Sequence, residues 1–168
     1  TRAAEVDPGS GIKMSIGDNS YQKFTAFHNT GVNELGWSSS FLLGFWQGDG
    51  WRNGMQGEGT TYAFSVGYTP RGGDHEFNFS LIGAGQWHHQ AYYGTQLQDY
   101  LDYGPIQGDD YRKFNALYGD YQGEEFSILR NYYNKPLATF NWDWEISSRV
   151  TLATSLYGSA GRGGGTGL

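Results

Sequence analysis

Apolar side chains recur at every second position through most of this chain, and that spacing restricts it to β-strands rather than helices. In "TYAFSVGYT" the residues Tyr62, Phe64, Val66 and Tyr68 alternate with Thr61, Ala63, Ser65, Gly67 and Thr69. The turn "PRGGDH" separates this run from "EFNFSLIGA", where Phe77, Phe79 and Leu81 alternate with Asn78 and Ser80. Near the C-terminus Ala138, Phe140, Trp142 and Trp144 share a face opposite Thr139, Asn141 and Asp143. After "EISSR", Val150, Leu152 and Leu156 alternate with Thr151, Ala153 and Ser155. Upstream, Trp37, Ser39, Phe41, Leu43 and Phe45 form one face, and "GIKMSIG" and "YQKFTAFHNT" flank the turn "DNS".

The pattern predicts an all-β chain of about seven strands, near 11–17, 21–30, 36–46, 60–69, 76–84, 136–145 and 150–158. Their order along the chain predicts an antiparallel up-and-down meander. Connections alternate in length: those at 31–35, 70–75 and 145–149 are short, 47–59 is longer, and 85–135 is about fifty residues. Short turns at one end and long loops at the other are the habit of transmembrane β-barrels. Trp142 and Trp144 stand just before a short turn and Trp37 just after one, so all three are expected at one rim, as an interfacial aromatic girdle.

Composition bears on the partner. Aromatic residues reach 17%, equal to the charged fraction, and 27 residues are glycine. A soluble domain usually carries about 25% charged residues. Tyr and Trp bury an apolar body beside a wet polar tip, so their abundance suggests a surface meeting something other than water. A net charge of −6 without a basic stripe argues against a nucleic-acid partner. No cysteine is present, which removes disulfides and thiolate metal sites. No run approaches the roughly 18 apolar residues of a membrane helix, a criterion that does not apply to barrels. The chain opens on Thr1 without a basic, apolar leader, so any secretory signal is expected to precede it or to have been removed.

Several clusters invite a chemical reading. His88 and His89 are adjacent, with His28 and His75 elsewhere. Neighbouring residues on an extended chain point to opposite sides, so one strand cannot offer both to one metal. His75 falls in a tight turn and is expected to be solvated. Asp109–Asp110 and Glu124–Glu125 are paired carboxylates, but nothing nearby suggests the acid/base scaffold of a glycosidase. "QGDGWRNG" lacks EF-hand spacing, and "GRGGGTG" lacks the Lys–Ser/Thr of a phosphate loop, so the latter is expected to open a flexible outer loop. No catalytic residue, metal or cofactor is assigned. The long loop is the best functional feature, with Trp87, His88, Tyr92, Tyr93, Arg112 and Tyr132 as candidate ligand contacts, because aromatic faces and a few polar groups suit solute capture. Short helices are expected within "YGTQLQDYLDYG" and "DYRKFNALYGDY".

Three ordered blocks carry a resemblance: "SYQKFTAFHNTG", then "FWQGDGWRNGMQGEGTTYAFSVGYTPRGGDHEFNFSLIGAGQWHHQ", then "EEFSILRNYYNKPLATFNWDWEISSRVTLATSLYGSAGRGGGTG". Together they are similar to the early barrel strands of TonB-dependent outer-membrane receptors, most of all those with a carboxypeptidase-regulatory-like N-terminal domain. The resemblance covers roughly residues 10 to 168. It implies a barrel of ~22 strands, of which 11–168 would be a part, with residues 1–10 as the tail of a plug. It also implies an integral outer-membrane location in contact with lipid. The function implied is energised uptake of a scarce solute (siderophore-iron, cobalamin, oligosaccharide or peptide), and the protein is expected to be non-enzymatic. Implied partners are the energy-coupling TonB complex, through regions outside this chain, and a surface lipoprotein. The alternative is a soluble β-sandwich module gripping carbohydrate through exposed tyrosines, or a glycosidase built on it.

Overall fold

The computed structural model describes residues 2–91 and 94–166. Its main element is one antiparallel sheet of nine strands. These are β1 (Gly9–Ile16), β2 (Gln22–Asn29), β3 (Trp37–Gly48), β4 (Gly57–Tyr68), β5 (His75–His89), β8 (Arg130–Asn134), β9 (Leu137–Ser147), β10 (Val150–Ser159) and β11 (Arg162–Gly165). Between β5 and β8 lie a helix α1 (Leu97–Tyr103) and a hairpin of β6 (Tyr118–Tyr121) with β7 (Glu124–Ser127).

The nine strands form seven ranks. β5 pairs with β9 through His75–Ile82 and with β8 through Gln86–His89, so β8 and β9 are successive halves of one run. Pro136 stands at the break, where its missing N–H cannot join the ladder. β10 and β11 likewise continue one another beside β9 and β8. Each rank neighbours the next in chain order, which makes an up-and-down meander whose outermost ranks, β1 and β10/β11, each have one side unpaired among the described residues.

Register sorts the side chains onto two unlike faces. Across one face run Ser40, Ser65, Ser80, Thr139 and Tyr157, and beside them Ser38, Gly67, Asn78, Asn141 and Ser155. Asn78 accepts from the Ser65 hydroxyl at 2.9 Å and donates to Ser80 at 2.9 Å. The opposite face carries Ile12, Met14, Phe24, Phe41, Leu43, Phe64, Phe79, Phe140, Leu152 and Leu156, all of them exposed. The expected polar and apolar rows therefore lie on opposite faces throughout. The other sheet among the described residues is the two-stranded β6–β7 hairpin, so no second layer covers the apolar face.

At the end with short turns, Trp37, Tyr68, Phe77 and Trp142 stand side by side in one cross-strand row. Trp37 stacks on Tyr68 with centroids 4.4 Å apart, and Trp142 lies parallel to Trp144 at 6.2 Å. His75 belongs to this row of rings and is not a solvated turn residue. It begins β5, pairs with Trp144, and its Nδ1 accepts from Trp142 Nε1 at 3.3 Å. The turn is shorter than its composition suggests because "HEF" already pairs with β9 and β4.

Glycine and aromatic residues are coupled in this sheet. A Cβ on Gly59 would come within 2.5 Å of Trp46 Nε1, and one on Gly83 within 2.4 Å of the Tyr62 ring. Rings from one strand thus lie over bare backbone on the next, the pairing known as aromatic rescue of glycine. The same device explains a correction. The stretch "RGGG", expected to open a flexible loop, is a strand: Arg162–Gly165 pairs with Asn131–Asn134, and the Tyr132 ring lies against Gly164.

The N-terminal segment crosses the polar face. A 3₁₀ turn at Ala3–Glu5 buries Ala3 completely, and the Ala3 N–H donates to Asn78 Oδ1 at 3.1 Å. Glu76 and Asp143 face each other directly on adjacent strands. Arg2 bonds both carboxylates, offsetting a like-charge pair that would otherwise be unfavourable.

Candidate functional site

The strand β5 runs on through "QWHH", and β8 begins at Arg130, so the connection is 90–129, shorter than the expected 85–135. Nor is it structureless. α1 starts where the Gln96 N–H donates to the Asp99 carboxylate at 2.9 Å, the reciprocal half of a capping box. The helix expected in "YGTQLQDYLDYG" is therefore present, whereas "DYRKFNALYGDY" forms a single 3₁₀ turn at Tyr111–Lys113 and then β6. Phe114 and Leu117 are buried, and Tyr100 meets Phe114 edge-on at 5.8 Å. The loop thus has a small core of its own.

That core is fastened to the loop 49–56. The wholly buried Asn115 donates from Nδ2 to the Asn53 carbonyl at 2.9 Å, and its Oδ1 accepts from the Leu117 N–H at 3.1 Å. Gln107 accepts the Asn115 N–H at 3.0 Å and donates to the carbonyls of Asn115 and Tyr118 at 2.8 and 2.7 Å. Gly54 has φ +69°, and a Cβ there would sit 2.0 Å from the Tyr118 ring. Glycine alone permits both the left-handed backbone and this approach. The turn 17–21 joins them: Asn19 and Ser20 both have φ +56°, the sign a type I′ hairpin needs, and the Asn19 carbonyl accepts from the Asp49 N–H at 2.9 Å. Lys113 reaches Asn19 Oδ1 at 3.5 Å and lies over the Trp51 ring at 5.5 Å.

Three loops from one end of the sheet therefore enclose a cleft of about 730 Å³, whose walls include Asp49, Trp51, Arg52, Gln56, Lys113 and Glu125. A smaller cleft of about 300 Å³ shares Trp51 and continues toward Tyr21, Trp46, Met55 and His88. Tyr118 borders the large cleft, and its phenol is pushed above the ordinary tyrosine range by burial and then by Glu125.

The residues expected to touch ligand are distributed unequally. His88 lies on the same face as the polar rows and enters the smaller cleft, its ring nitrogens 3.4 Å from Gln86 and 3.1 Å from Gln90. Trp87 and Tyr132 are brought together as a cross-strand pair but on the apolar face, 37% and 57% exposed. Arg112 projects from its 3₁₀ turn and holds Asp110 at 2.7 and 3.0 Å; that bond draws the Asp110 carboxyl below its usual range. Its neighbour Lys113 lines the cleft instead. Tyr92 and Tyr93 lie outside the described residues. His88 and His89 face opposite sides of the sheet, and among the described residues no group of three His, Asp or Glu is placed to hold a metal.

Trp51, Asp49 and Gln56 were not among the expected ligand contacts, because "QGDGWRNG" offers no metal-loop spacing and its role depends on a distant loop. Its one available signal was a lone tryptophan between glycines, opposite a long loop able to reach it. Comparison of the chain with family models, with curated proteins and with solved structures gave no match.

Proposed function

We propose that this chain forms consecutive strands of an outer-membrane β-barrel, in a receptor of TonB-dependent type that takes up a scarce solute. The observation that carries this reading is the apolar face left exposed along the whole sheet. Monomeric soluble proteins rarely expose contiguous apolar patches beyond a few hundred Å², and hydrocarbon is the solvent in which such a face is stable. Its height fits as well. The ten residue steps from Phe77 to Trp87 on β5 span about 34 Å at ~3.4 Å per residue. A strand tilt of about 40–45° projects this to ~25 Å, the height of a barrel's apolar band. Aromatic residues lie at both limits: Trp37, Tyr68, Phe77 and Trp142 at one, Trp87 and Tyr132 at the other.

On this reading the loop end faces the exterior and the short turns face the periplasm. The polar face lines the lumen, where the segment Arg2–Pro8 lies as the tail of a plug would. The unpaired sides of β1 and β10 require further strands, since open edges are not stable in hydrocarbon. The energy-coupling complex and a surface lipoprotein are partners that the resemblance brings with it.

Cell fractionation tests the reading. The protein is expected in the outer membrane, resistant to carbonate and high-salt extraction, with gel mobility that changes on boiling. Recovery as a monodisperse soluble protein without detergent would refute it and favour the sandwich module.

A further inference from the structure

The larger cleft has a chemistry that selects among solutes. Asp49 and Glu125 line it together with Arg52 and Lys113, so its walls have no dominant sign. An anionic chelate would call for an excess of cations. Among the described residues no aliphatic side chain stands in its walls, which offers little to a peptide's apolar side chains. What the walls do offer is a mixture of amides, carboxylates, an ammonium and a phenol. Hydroxyl groups both donate and accept, and such a mixture satisfies them in either role.

Two details give the mixture a direction. Trp51 is 55% exposed, held beneath Lys113 yet open to the cleft and to the smaller cleft beyond. Among the described residues the side chains of Asp49 and Gln56 make no hydrogen bond, whereas Gln107 and Asn115 spend theirs on the loop. One flat apolar face beside unengaged polar groups is the complement of a pyranose ring, with its apolar C–H face and polar rim.

We infer that this cleft binds a neutral, hydroxyl-rich chain of the oligosaccharide class, with Trp51 as stacking platform and Asp49 and Gln56 as hydroxyl partners. The inference deepens the receptor reading and rests on it for the side from which the ligand arrives. Continuity with the smaller cleft carries a bound chain past Trp51 toward Trp46 and His88, on the face assigned to the lumen.

Calorimetric titration of the full chain in detergent micelles tests this, using maltoheptaose, cellohexaose and mannohexaose beside ferric citrate and a mixed tryptic peptide pool. At least one neutral oligosaccharide is expected to bind. Trp51→Ala should weaken it about tenfold, and Gln56→Ala and Asp49→Asn each severalfold. Affinity should hardly change from about 0.1 to about 0.5 M salt, because a neutral ligand has no ionic attraction to screen. Binding by none of the three sugars, preference for ferric citrate or peptide, or sugar binding indifferent to all three substitutions would each overturn the assignment. Gln56→Ala guards against misfolding of the tryptophan variant. A protein that assembles in the outer membrane but binds no sugar leaves the receptor reading standing and overturns only the ligand class.

Discussion

At the scale of single residues, the period-two pattern was legible because it needs nothing beyond the alternation of a strand. It set Leu81 and Ser80, adjacent in sequence, on opposite faces, and the register does so too. If the apolar face meets lipid, Leu81→Lys costs about 2–4 kcal/mol of assembly free energy near midplane, and Ser80→Lys little. Equilibrium folding into detergent or lipid, compared for the two variants, checks this; equal effects would reverse the assignment of faces. The abundance of glycine and rings was legible only in part. Composition pointed to an amphipathic surface, but not to Trp46 over Gly59 or Tyr62 over Gly83, because those pairs depend on strand register. Trp87 and Tyr132, expected in the long loop, instead pair across two strands and are not among the walls of the larger cleft. Their membership of a strand, not a loop, turns both toward the apolar face.

At the scale of elements, all seven ranks were located by their alternation, the first two, near 11–17 and 21–30, on weaker patterns than the rest. The halves β8 and β11 were hidden: "RNYYN" and "RGGG" do not alternate, and they become strands by pairing with β5 and with each other. The order within 90–129 was partly legible, since the capped turn before α1 is local. Its fastening to 49–56 was not, because Asn53, Gln107 and Asn115 meet only when two distant loops come together. That fastening has a measurable consequence. Asn115→Ala removes a wholly buried amide and leaves the Asn53 carbonyl and Leu117 N–H unpaired, at about 1–3 kcal/mol. Limited proteolysis should then cut within 90–129 several times faster while the sheet survives. Gly54→Ala should act in the same direction through strain and contact with Tyr118. Unchanged cleavage in both would mean that the loop is held by contacts other than these.

At the scale of the whole molecule, the membrane reading proposed above gives the two faces, the two rims and the two kinds of connection one orientation. The strap of residues 2–8 fits it: Arg2 answers Glu76 and Asp143, and Ala3 fills the polar face above Asn78. The alternation gives the meander but not the fate of its edge strands, because a meander looks the same whether or not they find partners; the sheet formed by the described residues is open. The absence of cysteine makes the orientation directly measurable, since any cysteine introduced is the only one in the chain. Three single variants suffice: Glu124→Cys in the long loop, Arg71→Cys in a short turn, and Phe64→Cys on the apolar face. Intact cells are treated with a membrane-impermeant maleimide, and membranes with a lipid-soluble one. Position 124 is predicted to label on intact cells, position 71 only after the outer membrane is opened, and position 64 only with the lipid-soluble reagent. Labelling of position 64 by the impermeant reagent on folded protein, or of position 71 on intact cells, would contradict the membrane-spanning sheet.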